Sequence, residues 1–489
     1  GASNVAVGAN ALAANTTAGV NTAVGLCALF TNTTGCGNTA TGARALKVNT
    51  TGDRNVAIGR DALAANTTAD YNVAIGSEAM EVNTEGCNNV AVGHKALDAN
   101  TTADNNTAVG MCALSSNTTG AQSVAVGTEA LKTQTTGNNN SAFGYCAMAL
   151  NTTGCLNTAI GNFALKTTQT GCKNTAVGYQ SMFDATSALC NTALGAYSLT
   201  NITTGDFNTA LGACSLLCNT TAANNTAVGY NSLFNNTTGA DNLAVGRQAL
   251  QSNTTGAQNI GIGTCALYTQ TTGGGCNVSI GNYSLKLNTA GDNHVAVGYA
   301  ALCDNTTGQS NTAVGAYALF NNTEGGSNVA LGESALYTAT TATHNTAVGQ
   351  GAMVATTSGI KNTAVGNLAM CRNTTGTLNT AIGVCALFTN TEGERNSGLG
   401  YFANACNTTG DCNVGVGYSA GLTITTGDNN INIGYDAQTT AADVSNQITL
   451  GNGAHDNLRC ADTSISALSD ERDKENIEDI PHGLDYILA

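Results

Sequence analysis

The chain counts in seventeens. A string of the form NTAVGxxALxxNTTGxx, first readable over residues 21–37, returns with its glycine at 8, 25, 42, 59, 76 and 93, onward to 263, then at 281, 298 and 315, onward to 451. Twenty-seven copies carry one slip, an extra residue in the Gly273-Gly274-Gly275 run. A unit this short cannot bury its own apolar face, so each copy must stack on its neighbours to build a continuous core. Repetition therefore outranks the length of 489 residues, which would otherwise suggest about three compact domains.

The array occupies 1–451, a spacer 452–468, and a segment of different chemistry 469–489. With 10 % charged residues, 59 glycines, one proline and no tryptophan, the composition would suit disorder if it lacked a period. Val, Ile and Leu recur at fixed phase instead, which calls for an ordered, minimal core. A net charge of −15 with only 16 scattered basic residues argues against nucleic acid. No apolar run approaches the roughly 18 residues of a membrane span, so no membrane insertion is expected, and any signal or anchoring segment is expected outside these residues.

Within each unit a glycine ends the first apolar segment and an Asn-Thr-Thr-Gly cluster ends the second, and neither segment reaches two helical turns. The fold class is all-β: a parallel β-solenoid of about 27 turns, each with two β-length segments and two turns, making a rod on the order of 130 Å at the parallel-strand spacing. Equivalent residues then form ladders, an amide ladder from Asn4, Asn21, Asn38, Asn55, Asn72, Asn89 and Asn106, and an aliphatic one from Val7, Val24, Ile58, Ile75 and Val92. Alternation along TAVG puts Thr22 and Val24 on one face and Asn21, Ala23 and Gly25 on the other. The second face is so small that a further surface is expected to approach it, and a homotrimer associated along the rod is inferred.

After Gly451 the period fails, and 469–489 reads SDERDKENIEDIPHGLDYILA, an acidic, helix-compatible tail. Its Ser469, Asp470, Arg472, Lys474, Asn476 and Ile477, followed by Gly483 to Ile487, resemble the S-D-x-R-x-K-x-N-I opening of the intramolecular chaperone domain of phage tail fibres and endosialidases, the peptidase S74 family. The resemblance covers about twenty residues. It implies a domain that assists trimerisation of a β-structured fibre and is released by self-cleavage, with Ser469 as nucleophile, Lys474 as its general base and Ser469-Asp470 as the scissile bond. The bland alternative is a helix that caps the array. The repeats themselves are similar to the NTAVG-type arrays that precede such domains and, more distantly, to the NSVAIG repeats of trimeric autotransporter adhesin heads.

Several side-chain sets invite a site. NTT matches the N-glycosylation acceptor at Asn15, Asn32, Asn49, Asn66, Asn100, Asn117, Asn151, Asn219, Asn236, Asn253, Asn305, Asn373 and Asn407, unless Asn, Thr and Gly are simply what the corner needs. Glu85, Glu324 and Glu392 break the pattern without breaking register. Cys155 and Cys172 share a phase in consecutive turns and are the disulfide candidate among 18 cysteines, free ladder thiols being the default. Glu394, Asp411 and Asp428 also share a phase, so their carboxylates are either solvated or joined by a hard cation such as calcium. The five histidines match no metal spacing and are expected at surface or turn positions.

No cofactor is expected, and 27 near-identical turns offer no unique cleft for catalysis beyond self-processing. The resemblance implies a structural attachment fibre, on a virion or another extracellular surface, whose partners are its own copies and a host receptor or glycan. A microbial surface filament or adhesin, glycosylated at the NTT corner, is the alternative, and an ice-binding solenoid with threonine ladders is a third reading.

Overall fold

The computed structural model describes residues 1–454 apart from Thr272. Each turn contributes one three-residue strand, from β1 (Val5–Val7) and β2 (Thr22–Val24) to β26 (Ile431–Ile433) and β27 (Ile448–Leu450). All 27 strands join one sheet, each paired in parallel with the strand one turn on, so that Thr22 faces Thr39, Ala23 faces Ala40 and Val24 faces Thr41. One copy of the sequence is therefore one circuit of backbone. The inserted residue changes a single step: Ile260 pairs with Val278, 18 residues on, and the strands on both sides keep their phase.

Only the first of the two anticipated strands forms. The segment after each glycine is a run of turns, because alternate residues adopt left-handed backbone, Cys27 at φ 56° and Leu29 at φ 48°, with the same signs at Arg44 and Leu46 one turn later. It is nevertheless laddered. Leu29 N–H donates to Ala45 O at 3.0 Å, Thr31 N–H to Lys47 O at 3.1 Å, and Arg44 N–H back to Leu26 O at 2.8 Å. Inter-turn hydrogen bonding thus satisfies backbone around the whole circuit, the condition for stacking such small units.

The glycine that ends each strand is demanded by this stacking. At Gly178, φ is +136° and an added Cβ would lie 2.5 Å from Gly195 O of the next turn. Only a residue without a side chain accepts both the backbone conformation and the close approach.

The Asn and Ala face points inward, and the chain itself covers it. Ala23, Ala28 and Leu29 are wholly buried, as are their equivalents turn after turn, with Met80 or Met148 sometimes replacing the leucine. The inner leucine of the same circuit fills the space beside the small strand residues, so no second chain is needed there. No helix occurs among the described residues. The expected helical tail and most of the spacer lie outside them.

Candidate functional site

Two asparagines per turn build the interior of the corner. In the first column Asn38 N–H donates to Asn21 Oδ1 at 2.8 Å and Asn55 N–H to Asn38 Oδ1 at 2.8 Å, while Asn38 Nδ2 donates to Gly52 O at 2.8 Å. In the second column Asn49 Nδ2 donates to Asn32 Oδ1 at 2.8 Å and to Gly52 O at 3.0 Å. The following threonine completes the set, Thr50 Oγ1 donating to Thr67 O at 3.0 Å. Buried amides carry little penalty when donor and acceptor are both engaged in this way.

The NTT asparagines all stand in this second column. Asn32, Asn49, Asn66, Asn100, Asn117, Asn151, Asn219, Asn236, Asn253, Asn305, Asn373 and Asn407 are fully buried, and Asn15 in the first turn is half-buried. A glycan on Nδ2 would need the atom that points into the protein. Corner chemistry accounts for the tripeptide without any modification.

Cys155 and Cys172 are brought together, their Sγ atoms 2.8 Å apart as free thiols, and the hydrogen bond to Cys172 raises the Cys155 pKa. Glu394, Asp411 and Asp428 do line up, and the two aspartate carboxylates are bound to backbone: Glu394 N–H donates to Asp411 Oδ1 and Asp411 N–H to Asp428 Oδ1, both at 2.7 Å, while the Glu394 carboxylate lies 3.8 Å from the Arg395 guanidinium. The same bond recurs wherever an aspartate holds this phase, as in Cys36 N–H to Asp53 Oδ1 at 2.7 Å and Leu189 N–H to Asp206 Oδ1 at 2.7 Å. Among the described residues no group of three or more His, Cys, Asp or Glu is placed to hold a metal ion. Ser469 and Lys474 lie outside the described residues.

One histidine departs from expectation. His294 is fully buried because it takes an asparagine's place in the first column. Its N–H donates to Asn277 Oδ1 at 2.9 Å, its Nδ1 accepts from Asn311 N–H at 3.2 Å, and Nε2 lies 2.7 Å from Gly308 O. Since the Asn311 amide can only donate, the proton of the neutral ring sits on Nε2 and goes to the Gly308 carbonyl. Burial lowers the His294 pKa, and the hydrogen bond to the Gly308 carbonyl opposes that shift.

Two features face outward: the aliphatic ladder that phase had indicated, and a second that went unseen in the sequence. The first is the outer face of the sheet, where no strand carries a charged residue. Its column is exposed at Val7, Ile58, Ile75, Phe143, Ile160, Leu194, Leu331, Ile382, Leu399 and Leu450 and half-buried at others such as Val24, Val92 and Val228. The second is a set of aromatic clusters just beyond the strand-ending glycines, including Tyr401, Tyr418 and Tyr435, whose rings stack at 5.2 and 5.4 Å. Counting phases for aromatic residues alone would have found the second. No family model matches this chain, and no curated protein matches it significantly.

Proposed function

We propose that the chain is the shaft of an extracellular attachment fibre, such as a viral tail fibre, in which copies lie lengthwise against one another as a homotrimer. The observation that carries this reading is the uncharged column on the outer face of all 27 turns, aliphatic everywhere but at Thr41 and Phe143. With the neighbouring column, in which valine and isoleucine mix with threonines such as Thr22 and Thr175, it makes an uncharged stripe about 130 Å long that amounts to on the order of 1,000 Å² per chain, above the roughly 800 Å² per partner of a stable interface. A near-continuous apolar column inside an uncharged surface of that length marks an interaction site. A compact partner would cover a few turns, whereas another copy has the matching length and pitch. The resemblance of 469–489 to the chaperone segment of trimeric fibres supports the same assembly, with Ser469 and Lys474 in the self-cleavage roles. The buried NTT asparagines weigh against a glycosylated surface filament.

Sedimentation of the full chain tests the assembly. The wild type is expected as a trimer at micromolar concentration, and Val228→Lys with Val245→Lys, two neighbouring outer-column residues, is expected to shift it toward monomer with its β-signal retained. A monomeric wild type would remove the lengthwise fibre. In a longer precursor, Ser469→Ala should leave the chain uncut where the parent is processed.

A further inference from the structure

One constellation occurs twice, seven turns apart on the same face of the rod. Phe163, Lys166, Tyr179, Phe183 and Tyr197 correspond in phase to Tyr283, Lys286, Tyr299, Cys303 and Tyr317, and Asp184 corresponds to Asp304. In the first copy the Lys166 ammonium lies 5.1 Å from the centre of the Phe163 ring and 5.2 Å from that of Phe183. Phe183 also meets Phe163 edge-on at 6.4 Å. In the second copy the lysine keeps one partner, Lys286 lying 5.5 Å from the centre of Tyr283, and the position of Phe183 is held by Cys303. Gln180 is likewise cut back to Ala300.

A groove of about 380 Å³ opens where these two side chains are shortened, lined by Tyr283, Lys286, Tyr299, Ala300, Cys303, Tyr317 and Phe320. Its size falls within the range of small-ligand sites. The walls are rigid rings: Tyr299 packs edge-on against Tyr283 and Tyr317 at 6.0 and 5.3 Å, and Phe320 stacks on Tyr337 at 5.3 Å. We infer that this groove binds a small one-ring aromatic molecule, whose ring takes the place that Phe183 fills in the sister copy. The chain's own phenyl group is the stand-in for the ligand. Lys286 supplies a cation to one face of the bound ring, and the tyrosines supply edges to it. Burial, reinforced by the Asp304 charge, pushes the Cys303 thiol up to about 12, so the floor of the groove is neutral.

The test is titration of the full chain with 4-fluorophenol followed by fluorine NMR. Saturable binding is expected with a Kd on the order of 1 mM, the scale open to a ligand of this size. Cys303→Phe refills the groove with the residue its sister site already holds, so it should keep the β-signal and weaken binding at least tenfold. Ala300→Gln should weaken it as well, and it serves if the first variant does not fold. Phe183→Cys with Gln180→Ala and Thr200→Phe, the last supplying the counterpart of the Phe320 wall, should add a second site. Non-saturable binding to the wild type, or binding unchanged in either groove-filling variant, would overturn the assignment.

Discussion

A buried amide column tolerates a foreign residue only if that residue can still both give and take hydrogen bonds, and His294 meets the condition solely as a neutral ring. Protonation would place a second N–H against the Asn311 amide, which has no lone pair to offer. The pH dependence follows from the sign of the shift. The folded-state pKa lies below the ordinary value of 6.5, so the unfolded chain binds more protons in the interval between them. Stability contributed by this site is complete above that ordinary value and declines as pH falls through the interval toward the folded pKa. Amide protection, taken relative to the exchange rate of an unstructured chain at the same pH, should fall in the turns around Asn277 and Asn311 between pH 7 and pH 5, and His294→Asn should abolish that fall. Equal acid sensitivity in the variant would mean that other groups set it. The amide column itself was legible from phase alone, as Asn21, Asn38 and Asn55 show. Depth was not: Asn32 and Asn49 carry an acceptor tripeptide that reads identically whether its amide faces solvent or core, and only three-dimensional closure decides.

At the scale of one turn, the strand, the left-handed run and the asparagine corner are held together by the glycine after the strand. Gly178→Ala should therefore cost more than about 2 kcal/mol, combining an unfavourable φ with a contact against Gly195 O. Gly52→Ala should cost less, although its added Cβ is drawn equally near a carbonyl, because Ala69 already occupies the same phase one turn on. Thermal unfolding of the two variants compares them directly, and equal losses would contradict a special role for the strand-ending position. Parallel strands and their register followed from the period, yet the second apolar segment was misjudged. Its leucine is buried as a strand residue would be, but Leu29 reaches the core from a left-handed conformation that alternation counting does not represent. Burying that side chain stabilises by about 1.5–3 kcal/mol, enough to offset a left-handed cost of about 1–2 kcal/mol.

Along the whole molecule each turn touches only its two neighbours, so stability is expected to accumulate turn by turn and to depend on phase more than on any one turn's sequence. The structure already holds one experiment on phase: the extra residue near Gly273 is accommodated at a corner while Ile260 and Val278 stay paired. A corner can extrude a surplus residue, whereas a missing residue leaves the circuit unable to close without pulling a strand out of step. Removing residues 209–225, one full period, joins Asn208 to Thr226 and keeps both asparagine columns in line. The shortened rod should lose about 4.8 Å of length by small-angle scattering and melt within a few degrees of the parent. Removing residues 209–226 joins Asn208 to Ala227 and shifts the next strand by one residue, which turns its alanine outward and its outer residues toward the core. That variant should melt well below the other and show fast amide exchange on both sides of the junction. If the two deletions unfold alike, the queue of equivalent residues along the axis is not what holds the rod together.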